Sequence, residues 1–269
     1  MIYNASMKEI LLDQPVARGR TADVYDWDDG HILKLFQSWF ETEDIEYEHR
    51  IASAVHASGV KSPAVGDIVQ LHGRTGLIYE RVPGESMLEK FRRQPWKVMQ
   101  FGKMLAGLHA QMHGCAFNAD VPAQRKKLQK KLKNADALPV ALKTKLIGTL
   151  EALPEGDRVC HGDFHFANVL LAGDNATVID WIDATRGNPL ADVARTSIIL
   201  LGAASSSQIS NLVLKIIVRL FHAAYLGHYF RLRPGGEVEY RRWLPVVAGA
   251  RLNENIPELE RWLIKQAYG

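Results

Sequence analysis

The stretch that most limits what this chain can fold into is Val159-Cys160-His161-Gly162-Asp163-Phe164-His165-Phe166-Ala167-Asn168-Val169-Leu170-Leu171, followed by Thr177-Val178-Ile179-Asp180-Trp181. Val169 to Leu171 and Thr177 to Ile179 are short apolar runs around Gly173-Asp174-Asn175, the pattern of a hairpin centred on Asp174. Such a hairpin puts Asn168 opposite Asp180, on one sheet face and with side chains close together. A carboxamide beside a carboxylate offers hard oxygen ligands suited to Mg²⁺, an ion that also keeps waters and takes oxygens from substrate phosphates. Asp163 lies just upstream in the same loop and adds a group able to accept or orient a hydroxyl proton.

The rest of the chain supplies a frame for that loop. Ala22 to Phe36 reads as two strands joined at Asp28-Asp29-Gly30, with Lys34 inside the second. Thr42 to Ser58 is helical, with Tyr47, Ile51 and Val55 at four-residue spacing and acids in its first turns, and Gly59 and Pro63 end it. A second strand pair is expected at Ala64 to Leu71 and Thr75 to Glu80, broken by Arg81-Val82-Pro83-Gly84. Beyond that break, Trp96 to His113 and Ile209 to Phe230 have helical periodicity. Gln124 to Lys133 (QRKKLQKKLK) is a basic stretch with one apolar stripe, Leu128 and Leu132, and reads as a solvated helix face.

The chain has 269 residues, enough for two lobes without disulfides. Its 33 Lys+Arg against 30 Asp+Glu give a net charge of +3, too little to indicate a nucleic-acid partner. Cys115 and Cys160 belong to no paired pattern, so neither a disulfide framework nor a zinc ribbon is expected and a reduced, cytoplasmic protein fits. The longest apolar run, Ile198 to Ala204, is much shorter than a membrane span, and the N-terminus has no apolar core of signal-peptide length.

His161-Gly162-Asp163 to Asn168, then Ile179-Asp180-Trp181, resembles the catalytic-loop and metal-binding signatures of the protein-kinase superfamily. The match is to the form used by aminoglycoside phosphotransferases and choline kinases. The resemblance implies an α+β, two-lobed protein-kinase-like fold: residues 1–80 as a small N-terminal sheet lobe with one helix, 81–269 as a larger, mainly helical lobe, and ATP or another nucleoside triphosphate between them. It makes Asp163 the catalytic base or hydroxyl-orienting group, and Asn168 and Asp180 the holders of Mg²⁺. Lys34 is similar to the strand lysine that contacts the α- and β-phosphates, and Glu48 to the helix glutamate paired with it, with Glu46 a nearby competitor. Tyr79-Glu80-Arg81-Val82 is similar to the hinge whose backbone receives adenine, so Glu80 and Val82 become nucleotide contacts. The loop from Ala17 to Asp23, with Gly19, Arg20 and Thr21, has one glycine where the family has three, yet it could cradle phosphate through backbone N–H groups and the Thr21 hydroxyl. Leu105 to His109 and Gly187 to Asp192 also resemble family segments, with His161 and Asp192 in supporting roles.

Other readings compete. His161 and His165 flank Asp163, which suggests a metal-dependent hydrolase, although no H-E-x-x-H glutamate or further histidine stands at ligand spacing. A silent nucleotide-binding pseudokinase is a third reading, disfavoured because the base, both metal ligands and the lysine are present. Gly102-Lys103 lacks the glycine frame of a phosphate loop and is followed by Met104. Gly162, where H-R-D kinases carry arginine, and the short stretch from Asp180 to Pro189 remove the phospho-switch and peptide platform, leaving a small hydroxylated acceptor. Residues 205–269 hold nine Lys+Arg and five Glu. Unless folding gathers Glu237, Glu239 or Glu254, that balance suits an acceptor less cationic than an aminoglycoside.

Overall fold

The computed structural model describes residues 14–19, 21–117, 120–206 and 211–269. They divide into two compact units, Met1–Gly84 with Leu170–Ile182, and Glu85–Val169 with Asp183–Gly269.

The first unit is built on an antiparallel sheet. Its strands are β1 (Ala17–Arg18), β2 (Ala22–Asp28), β3 (His31–Phe36), β4 (Val65–Leu71) and β5 (Arg74–Glu80), in spatial order β1-β2-β3-β5-β4. Helix α1 (Thr42–Ala57) connects β3 to β4. Alternation along β3 sends Leu33 and Leu35 into one apolar cluster with Val69 and sends Phe36 into another with Ala22, Leu77 and Ile45 of α1. Lys34 shares the Phe36 face, the one that α1 packs against, so it is not a lysine on a solvated strand face.

Helix α1 buries Ile45, Glu48, Ile51, Ala52 and Val55. The apolar spacing alone centres the stripe on Tyr47, Ile51 and Val55, but Tyr47 is only half-buried while Glu48 is 3% exposed. The helix is rotated so that a glutamate occupies its core face. Hydropathy cannot anticipate this, because it assigns carboxylates to water.

The second unit is mainly helical. After the short strand β6 (Glu85–Ser86) come α2 (Met87–Arg93), α3 (Val98–Met112), α4 (Gln124–Lys133), α5 (Val140–Ala152) and β7 (Arg158–Cys160). The chain then forms β8 (Val169–Ala172) and β9 (Asn175–Val178), neighbouring strands turned at Gly173-Asp174 and largely part of the first unit. It continues through β10 (Thr185–Gly187), paired with β7, to α6 (Pro189–Ser205), α7 (Leu212–Leu232), α8 (Glu237–Arg251) and α9 (Glu260–Tyr268). Residues 209–210 of the expected helix lie outside the described residues. No helix among the described residues is long and apolar enough to cross a membrane.

The basic helix α4 is solvated on one side, where Lys126, Lys130 and Lys133 are exposed, and engaged on the other. Arg125 donates to the carbonyls of Leu150, Glu151 and Leu153 at the C-terminal end of α5, where unpaired carbonyls and the helix dipole favour a cation. Lys127 donates to the Asp183 carboxylate and carbonyl, and Lys131 approaches Glu254 at 3.5 Å. The packing of α4 between α5 and α8 gives these cations fixed partners.

Gly102 owes its place to helix packing. A Cβ there would stand 2.7 Å from the Phe221 carbonyl oxygen and 2.8 Å from Ala224 Cβ on α7. Gly107 on the same helix has open space around its Cβ position. In denaturant unfolding, Gly102→Ala is expected to cost about 1–3 kcal/mol through overpacking. Gly107→Ala should instead stabilise by about 0.5–1 kcal/mol through helix propensity. Equal effects at the two sites would disprove the close α3–α7 approach.

Candidate functional site

In the first unit, Lys34 Nζ donates to Glu48 Oε1 at 2.7 Å, and Tyr79 Oη donates to the same oxygen at 2.9 Å. Glu46 is exposed and Glu48 is the partner. Burial, then the Glu48 charge, pushes the Tyr79 phenol well above its ordinary value, so it stays a hydrogen-bond donor. Lys34 Nζ also lies 3.9 Å from Asp180 Oδ1. Asp180 follows β9 with φ 65°, one of three non-glycine residues in the left-handed region among those described. Aspartate tolerates that region better than most residues, and such an outlier is a pointer to function. The buried Trp181 indole donates to the Val178 carbonyl at 2.9 Å and holds the turn.

The loop before β2 is tight. Gly19 N–H donates to the Ala22 carbonyl at 2.9 Å, and the Thr21 carbonyl accepts from Gln37 N–H at 2.8 Å. Gly19 thus serves the turn with its own N–H, and Arg20 lies outside the described residues. Glu80 is engaged twice with Ala64, through its own N–H at 2.8 Å and its carboxylate at 3.0 Å. Val82 falls in the irregular stretch that follows β5.

In the second unit, the fully buried Asp192 organises the 161–168 loop. Its Oδ2 accepts from the His161 backbone N–H at 2.6 Å and its Oδ1 from Gly162 N–H at 2.9 Å. His109 Nε2 and His113 Nε2 reach the same carboxylate at 3.2 and 3.4 Å. An ionised carboxylate only accepts, so both Nε2 atoms carry protons. In a neutral ring Nδ1 is then an acceptor, and it faces Tyr225 Oη in His109 (2.6 Å) and Tyr229 Oη in His113 (2.8 Å). Burial, reinforced by the neighbouring His113, lowers His109 to about 3, against the pull of Asp192. Burial likewise lowers His113. Burial alone would raise Asp192, but the hydrogen bonds from His109 and His113 bring it well below the carboxylate range. His109, His113 and Asp192 are the one group among the described residues spaced like metal ligands. Their nitrogens and oxygens are already matched donor to acceptor, so hydrogen bonding accounts for the cluster.

His161 and His165 do not converge with Asp163 on a metal-binding arrangement. The Nδ1 atom of each accepts a backbone N–H, from Asp163 and Ala167 respectively, at 3.2 Å. Both therefore brace the loop. Gly162, at φ 79°, sits where a Cβ would meet the Asp183 carbonyl oxygen at 2.7 Å. An arginine at this place is excluded by backbone conformation as well as by space.

Asp163 is partly exposed and surrounded by donors. Arg195 Nη2 lies 3.5 Å from Oδ1, His165 Nε2 lies 3.4 Å from Oδ2, and Asn168 Nδ2 donates to the Asp163 carbonyl at 2.9 Å. That last bond fixes the amide flip and turns Asn168 Oδ1 away as the atom able to serve as an oxygen ligand. Burial raises the Asp163 carboxyl, but the His165 hydrogen bond and the Arg195 charge outweigh it, leaving the group well below its ordinary value and ionised.

Arg195 is the main residue that pattern reading overlooks. Its Nε donates to the Gly162 carbonyl at 2.9 Å, and its Nη2 pairs with Glu254 at 2.7 Å as well as approaching Asp163. A signal existed: Asp192 and Arg195 are the two charged residues of the otherwise apolar α6, three apart and thus neighbours on one face.

A β-sheet unit carrying the Lys34–Glu48 pair, a helical unit carrying the Asp163 loop, and an acid-rich turn at Asp180 define a protein-kinase-like phosphotransferase. The model of the phosphotransferase enzyme family, APH, matches residues 14–234, and the chain belongs to that family. It is accordingly a small-molecule kinase. Among solved structures it is similar to a thermostable mutant of aminoglycoside phosphotransferase APH(4)-Ia in ternary complex with ADP and hygromycin B, with TM-score 0.62 and 17% identity over 95% of this chain and 91% of that one. It is also similar to amicoumacin kinase hAmiN in complex with AMP-PNP, Ca²⁺ and Ami, with TM-score 0.63 and 16% identity over 93% and 85%. A choline/ethanolamine kinase family protein from Mesorhizobium loti gives TM-score 0.52 and 18% identity over 94% and 84%. Among curated proteins no sequence matches. At these identities the structural likeness establishes the fold.

The neutral, buried imidazole makes stability depend on pH. Unfolded His109 takes up a proton near its ordinary 6.5, whereas folded His109 does so only near 3, so stability declines as pH falls through that window. With His109→Gln, the slope of unfolding free energy against pH between about pH 4 and pH 6 should be shallower by about 1.4 kcal/mol per unit. Denaturant unfolding at several pH values measures this, and an unchanged slope would mean that the folded imidazole is charged.

Proposed function

We propose that the chain transfers the γ-phosphoryl group of ATP to a hydroxyl of a small molecule, with Asp163 as the residue that orients the hydroxyl. The observation that carries this reading is the state of Asp163: a partly exposed carboxylate, held ionised by His165 and Arg195, on a loop fixed by a buried carboxylate. A carboxylate with a lowered pKa is a poor place to keep a proton and a good hydrogen-bond acceptor for an attacking hydroxyl. The hydroxyl oxygen bonds to the γ-phosphorus as the bond to the β–γ bridging oxygen breaks. The nucleoside diphosphate leaves, and the hydroxyl proton is released past Asp163 to solvent.

Lys34 is assigned to the nucleotide phosphates, positioned by Glu48, whose second partner Tyr79 keeps the glutamate from drifting. Glu80 and Val82 are assigned to adenine through their backbone, and Thr21 to phosphate through its hydroxyl, while the engaged N–H of Gly19 limits that glycine to shaping the loop. Asn168 Oδ1 and the Asp180 carboxylate are hard oxygen donors that suit Mg²⁺. When bound, that ion neutralises charge on the phosphates. His161 and Asp192 act as positioning residues. The complexes of similar proteins with ADP and AMP-PNP support nucleotide use.

Site variants separate these roles. Asp163→Asn is expected to lower turnover by about 10²–10⁴-fold while still binding Mg-ATP, as loss of a group acting on the reacting proton does. Lys34→Ala should weaken ATP use, with Glu48→Gln reproducing part of the defect. Asp180→Asn should weaken metal-dependent nucleotide binding. Calorimetry of Mg-ATP binding beside a coupled turnover assay checks this. The assignment fails if Asp163→Asn abolishes Mg-ATP binding while Asp180→Asn leaves it intact.

A further inference from the structure

A cavity in the second unit, beside the Asp163 loop, is lined by four cations, three of which the reaction as proposed does not use. It encloses about 40 Å³, with Gly162 in its wall, and its charged lining is Lys127, Lys131, Arg195 and Arg251 against Asp183 and Asp192. Both acids are already engaged. Asp183 accepts from Lys127, and Asp192 accepts from two backbone N–H groups and two imidazoles.

The other three cations converge on one carboxylate. Glu254 Oε1 lies 2.7 Å from Arg195 and 3.5 Å from Lys131, and Glu254 Oε2 lies 3.4 Å from Arg251 Nε. Arg195 also lies 3.5 Å from Asp163, so three cations share the carboxylates of Glu254 and Asp163. Arg251 is only 11% exposed at its side chain, yet beyond the 3.4 Å approach of Nε to Glu254 its Nε and Nη1 groups make no hydrogen bond among the described residues. Leaving buried guanidinium donors unmatched is costly, and a network that served structure alone would satisfy them. A planar oxyanion matches what this fork lacks.

We propose that this cavity receives an oxyanion carried by the acceptor, a carboxylate or phosphate group on the same small molecule whose hydroxyl Asp163 orients. Arg195 links the two places, lining the cavity while its Nη2 lies 3.5 Å from Asp163 Oδ1. The free space holds a few water-sized groups, enough for an anionic head group. A polycation placed there would meet Lys127, Lys131, Arg195 and Arg251 in the lining. Two of the three acids that could have made an aminoglycoside site are engaged, Glu254 with these cations and Glu239 with Asn188 and the Trp243 indole, and the third, Glu237, is exposed at the start of α8.

The inference rests on the proposed phosphoryl transfer to a hydroxyl, and the test separates the two. Inorganic phosphate binding, measured by calorimetry on the full chain, should weaken on the order of tenfold in Arg251→Gln and severalfold in the more exposed Lys131→Gln, and stay nearly unchanged in Lys34→Ala. Phosphate binding that is lost in Lys34→Ala and retained in Arg251→Gln and Lys131→Gln would place the anion at the nucleotide and overturn the proposal. So would an absence of phosphate binding. ATP-dependent phosphorylation is then compared for glycerol, glycerate, glycerol 3-phosphate and choline. The expected result is a preference of about tenfold or more in kcat/KM for one or both anionic compounds, lost in Lys131→Gln, with the better of the two identifying carboxylate or phosphate as the group. Efficient transfer to glycerol or choline with no gain from the anionic group would leave the kinase reading standing and remove this one. Arg251-dependent phosphate binding in a chain that transfers to none of the four would support the anion site and count against the assigned reaction.

Discussion

The second unit depends on one buried charge. Asp192 sits in the first turn of α6, behind an Asn188 cap and Pro189, where the helix dipole favours an anion. It has left water almost completely, and a lone carboxylate there would cost several kcal/mol. Two imidazoles and two main-chain N–H groups replace its hydration. Because those N–H groups belong to His161 and Gly162, the stabilisation of a buried charge and the placement of the Asp163 loop are one interaction. The tyrosines of α7 extend it, since Tyr225 and Tyr229 fix the tautomers of the histidines that face Asp192.

The first unit uses a smaller version of the same device. Glu48 occupies the core face of α1, and its carboxylate is balanced by the Lys34 ammonium and the Tyr79 hydroxyl. Removing one partner of such a pair leaves the other buried and uncompensated, which explains why a charged pair can sit in an apolar sheet–helix interface without slipping. The pair also fixes the direction of a flexible four-carbon side chain that would otherwise populate many rotamers. In both units, then, a residue to which we assign a chemical role is held by a buried carboxylate.

Positive charge is distributed less evenly than the composition suggests. A net charge of +3 over the chain describes a nearly balanced protein. Folding nevertheless brings Lys127 and Lys131 of α4, Arg195 of α6 and Arg251 of α8 to the lining of one cavity. Three elements remote in sequence supply them, and Glu254 is shared by three of the four, with Asp163 also near Arg195. Local charge excess of this kind follows from helix packing and selects ligands by charge in a way that net charge cannot express.

The sequence alone determined much of the strand and helix pattern and, through resemblance to a known family, the class of fold, because the motifs that carry that resemblance rest on short-range order. Strand alternation from Ala22 to Phe36, the turn at Asp28-Asp29-Gly30 and the closely spaced Asp163, Asn168 and Asp180 are set by residues near one another in the chain. Glu48 as the Lys34 partner was reachable only through resemblance, since helix periodicity pointed to Tyr47 for the buried face. What tertiary structure decided was every property that depends on which side chains share a dry space. It turned Glu48 inward, converted Asp192 from an acid in a first helical turn into the anchor of the 161–168 loop, and placed Arg195 against Asp163. It also made one side of the basic helix α4, with Lys127 and Lys131, a wall of a cavity. Spacing along the chain fixes which direction a side chain leaves its own helix or strand. Burial, and with it the strength of every charge described here, is fixed by what packs against that side from elsewhere.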